Sequence, residues 1–70
     1  MKVDKDCLVR MVVDSVSDEL KTIGRVLGRE EIEAEIRTAF RELNKRFAVG
    51  ITNEEIDIST RILTVVFWKG

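Results

Sequence analysis

The chain has no histidine, no proline and no tyrosine, and only one cysteine, Cys7. Each absence removes a class of chemistry. A single cysteine forbids an intrachain disulfide. One thiol without histidine cannot build a zinc site. Cys7 also has no imidazole to activate it as a nucleophile, so it reads as a small apolar side chain. The usual acid–base set is thin. No calcium-loop pattern is present, and "GRVLGRE" lacks the Gly-Lys-Ser/Thr of a phosphate loop. The expectation is therefore a protein with no cofactor, no metal and no enzymatic activity.

Charge excludes more. Twelve basic and thirteen acidic residues leave a net charge of −1, which exerts no strong pull on nucleic acid or anionic lipid. No apolar run reaches the ~20 residues of a membrane span. Asp4, Asp6 and Arg10 interrupt the first apolar stretch, so no signal-peptide core is expected there. The expected location is the cytoplasm, with a reduced thiol. Lack of Pro, His and Gln beside plentiful Glu, Lys and Arg suggests a heat-adapted source.

What remains is a 70-residue chain, 44% hydrophobic and 36% charged, which suits one small folded domain spanning residues 1–70. A core this small is marginal, and such domains lean on a disulfide, a metal or a partner subunit. With the first two excluded, self-association is the expected staple.

The clearest element lies in the middle. In "REEIEAEIRTAFRELNKRF" the apolar residues Ile32, Ile36, Ala39, Phe40, Leu43 and Phe47 fall on one helix face. Glutamates crowd its start and basic residues its end, which complements the helix dipole. Glu33–Arg37 is an i,i+4 ion pair in the better orientation. A helix is predicted over 30–47, with Gly50 as the stop signal beyond it. Upstream, Asp6, Arg10, Asp14, Asp18, Lys21 and Arg25 recur at helical spacing. Leu8, Val12, Val16, Leu20, Ile23 and Leu27 recur two residues out of step, on the opposite face. One helix is predicted over 5–27, capped by Asp4 and ended by Gly28. Gly24 then sits inside it at a cost of ~1 kcal/mol against alanine. The rival is a strand at 7–13 followed by a helix capped by Ser17. The Gly28-Arg29 link makes the two helices antiparallel neighbours or a sharp elbow.

The end of the chain, "IDISTRILTVVFW", is apolar at every even position from Ile56 to Trp68 apart from two threonines. Its odd positions begin polar and turn apolar. That pattern suits a strand covered first on one side and then on both. Thr52 and Glu55 fit a capping box, and Ile51 with Ile56 a hydrophobic staple, so one helical turn before the strand is predicted. A lone strand leaves its backbone unpaired; pairing with the same strand of a second copy about a two-fold axis would satisfy it.

The expected fold is thus α+β: an antiparallel two-helix hairpin plus a C-terminal β-strand completed by dimerisation. An all-α three-helix bundle and a β-α-α-β arrangement are the alternatives. The expected function is a small self-associating protein–protein interaction module, an adaptor or an inhibitor of a larger partner. The expected interface residues are Ile62, Val66, Phe67 and Trp68.

The stretch "VSDELKTIGRVLGREEIEAEIRTAFRELNKRF" loosely resembles the helices of ribbon-helix-helix DNA-binding proteins. That resemblance implies a dimeric transcriptional regulator whose ribbon strand, residues 7–13, enters the DNA major groove with Arg10 as its base-reading side chain. Arg37, Arg41 and Lys45 lie along one edge of the second helix, where a phosphate backbone could rest. The glutamates opening that helix and the long C-terminal run depart from the family pattern. Nucleic acid is the alternative partner; a homodimer, or another protein, is the favoured one.

Overall fold

The computed structural model describes residues 3–24 and 27–68. Three helices follow one another: α1 Lys5–Ile23, α2 Arg29–Phe47 and α3 Asn53–Phe67. No strand occurs among the described residues. The expected α+β fold is therefore corrected to a three-helix bundle, in which α2 packs against both α1 and α3.

α1 begins where Asp4 caps it. The Cys7 amide donates to the Asp4 carboxylate at 2.8 Å. Leu8, Val12 and Val16 are buried and Leu20 packs beside them, while Asp6, Arg10, Asp14, Asp18 and Lys21 face solvent. The rival strand at 7–13 does not form, and with it goes the ribbon that the family resemblance implies. The helix is also shorter than expected. It stops at Gly24, which adopts a left-handed φ of 67°. Gly24 is thus a C-cap rather than a costly interior residue, because a residue without Cβ ends a helix in this conformation most cheaply. Of the segment expected to continue the helix, Arg25 and Val26 lie outside the described residues; Leu27 is buried in the core.

Gly28 opens α2 rather than closing α1. Its amide donates to the Glu31 carboxylate at 3.3 Å, satisfying one of the donors a helix start leaves over. Ile32, Ile36 and Phe40 are buried on one face of α2. The helix ends at Phe47, as the sequence predicts; Ala48 rather than Gly50 takes the left-handed turn that closes it, at φ 49° and ψ 47°, its amide donating to the Asn44 carbonyl. Asn44 then clamps the following loop. Its amide group donates to the Ile51 carbonyl and its carbonyl accepts from the Ile51 amide, both at 3.1 Å.

α3 replaces the expected C-terminal strand. The cap behind it is complete: the Glu55 amide donates to the Thr52 hydroxyl, and the Thr52 amide to the Glu55 carboxylate. Ile51 and Ile56, the expected staple, are both buried in the core. The cap nucleates a helix that runs on for 15 residues instead of a single turn. Ile56, Thr60 and Thr64 are buried along it, with Leu63 and Phe67 packed beside them. That is helical spacing.

Candidate functional site

α3 is apolar on two faces. The inner face packs on the bundle. The outer face carries Ile58, Ile62, Val65 and Val66, each more than half exposed. Their spacing of four, three and one places them on a single stripe. A surface helix of a bundle normally carries one apolar face; α3 carries a second that its own chain leaves uncovered. Together these four side chains expose on the order of 400 Å² of apolar surface, within the roughly 300–600 Å² of the largest patch on a typical monomer, a patch that is often functional. Other exposed apolar residues are scattered. Ile23 ends α1, and the Phe47 ring already lies beneath the Arg46 guanidinium at 5.7 Å.

Ion pairs line the border of the stripe. Arg37 of α2 bonds Asp57 at 2.7 Å and Glu33 at 3.3 Å. The other oxygen of Asp57 meets Arg61 at 3.3 Å. Lys5, in the first turn of α1, bonds Glu55 at 2.7 Å. This ammonium, together with the Thr52 amide, holds the Glu55 carboxyl below its ordinary range. Asp57, Arg61 and Glu55 thus find their counter-charges on the same chain, while Glu54, one turn before Ile58, stands exposed.

No protein-family model, curated protein or solved structure matches the chain. The surface must therefore be read from its own chemistry.

Of the residues expected at an interface, Ile62 and Val66 stand on the stripe. Trp68, 39% exposed, stands just past the end of α3 with its amide bonded to the Thr64 carbonyl. Phe67 turns inward and packs on the core. Ile58 and Val65 were missed. Their signal was present, since 58, 62, 65 and 66 share one side of a helix, but a strand reading scatters them over two faces.

The basic residues considered for nucleic acid are divided. Arg10 is exposed on α1. Arg41 and Lys45 are exposed on α2, but Arg37 is drawn into the Asp57 and Glu33 carboxylates. Cys7 is half-buried in the first turn of α1. Glu31 and Glu35, one turn apart on α2, do not converge: Glu31 bonds the Gly28 amide, while Glu35 turns toward Glu19 of α1.

That second contact lies in a small acidic cleft between α1 and α2, lined by Ser15, Glu19, Glu35, Thr38 and Glu42. A shared hydrogen bond with the Glu19 carboxyl, then desolvation, then like charge push the Glu35 carboxyl above its ordinary value. No group of three or more metal-binding side chains is gathered among the described residues. No helix among them is long and apolar enough to cross a membrane.

Proposed function

We propose that this chain is a small, non-enzymatic, self-associating protein–protein interaction module, and that the outer stripe of α3 is its contact surface. The observation that carries this reading is the second apolar face of α3. Its inner face, with Ile56, Thr60, Thr64, Leu63 and Phe67, packs on the bundle, while Ile58, Ile62, Val65 and Val66 form an outer face that stays exposed. Exposing such a surface has no folding benefit, and covering it recovers about 25 cal/mol for each Å² removed from water.

The size of the stripe sets the strength. Two such faces cover about 800 Å² in total, below the ~1,200 Å² at which standard-size interfaces begin. The self-contact is therefore weak and reversible, with monomer at high dilution and dimer at high concentration. Sedimentation across a wide concentration range tests this. The wild-type mass should rise from one chain toward two, and Ile58→Gln with Ile62→Gln should hold it at one. Both positions point to solvent in the monomer, so the variant retains its helical content and melting temperature at dilution. A wild-type chain that stays monomeric at millimolar concentration would sink the proposal.

A further inference from the structure

We draw no further inference here: the strongest candidate, the acidic cleft between α1 and α2 where Glu35 turns toward Glu19, is a cluster of carboxylates with no second feature that points to a ligand.

Discussion

Thr60 and Ile62 stand two residues apart on α3 and face opposite ways: the threonine is fully buried and the isoleucine is 60% exposed. Within the core, the Thr64 hydroxyl donates to the Thr60 carbonyl at 2.6 Å. The Thr60 hydroxyl itself has no hydrogen-bond partner. A buried hydroxyl without a partner carries its desolvation cost uncompensated.

Thr60→Val should therefore stabilise the protein. Valine keeps the branched shape and leaves the Thr64 bond to the backbone untouched, so only the orphaned hydroxyl is lost. The expected gain is about 1 kcal/mol, or roughly 4–8 °C in melting temperature for a domain of this size. Thr64→Val gives the contrast, because that hydroxyl is satisfied and its removal should be near neutral or slightly destabilising. Urea denaturation of both variants at one protein concentration decides it. A loss of stability in Thr60→Val would show that the hydroxyl is satisfied after all.

Asn44 should behave in the opposite sense. Its side chain closes two hydrogen bonds on the backbone of Ile51, a buried residue at the α2–α3 connection. Asn44→Ala leaves both Ile51 groups without those bonds, at an expected cost of about 1–3 kcal/mol. Asn44→Asp keeps the acceptor for the Ile51 amide and loses the donor to the carbonyl, so it should fall between the two. Equal stability of Asn44→Ala and wild type would remove the clamp.

The end of the chain carries the pattern of a strand and folds as a helix. Its inner row, Ile56, Thr60, Thr64, and its outer row, Ile58, Ile62, Val66, both fall on even numbers, because a spacing of four is also a multiple of two. A helix apolar on two faces thus imitates strand alternation. The deciding signal was visible in Thr52 and Glu55, but a cap says where a helix starts and not how far it runs. The central helix was legible because it has one apolar face and ordered charges. The shortfall at the end of α1 has a different cause. Gly24 at a positive φ is a backbone state, and an interior glycine and a capping glycine look alike in sequence. The stripe on α3 became legible only once the strand was replaced by a helix and its buried side was known.

Ala48 is the non-glycine residue with positive φ among those described. A Cβ in this left-handed conformation crowds the following carbonyl, which is why glycine dominates the position after a helix. Ala48 is exposed, so its methyl contributes little packing. Ala48→Gly should raise stability by about 0.5–1 kcal/mol, the strain relieved less the added freedom of the unfolded chain. Thermal unfolding checks it; a fall in melting temperature would mean that the methyl is held by contacts worth more than the strain.

The Glu19–Glu35 pair should leave a signature in the pH dependence of stability. The Glu35 carboxyl is raised above its ordinary value by its contact with Glu19, so the folded state holds this proton more tightly than the unfolded chain does. The penalty is therefore fully present above the folded pKa and is lost as pH falls through it toward that ordinary value. The charged groups on this cleft are Glu19 from α1 and Glu42 beside Glu35 on α2, all of one sign. Glu55 acts in the reverse direction: Lys5 lowers its pKa, so its contribution is lost on acidification. The two are separated by comparing variants rather than reading wild type alone. Glu35→Gln can donate its amide hydrogen to Glu19 at every pH, and should be more stable than wild type at pH 7. That advantage should shrink toward zero as pH is lowered from 7 to about 4. Chemical denaturation at four pH values measures the difference. An advantage independent of pH, or a Glu35→Gln variant weaker than wild type at neutrality, would show that the two carboxyls do not share a proton across the α1–α2 cleft.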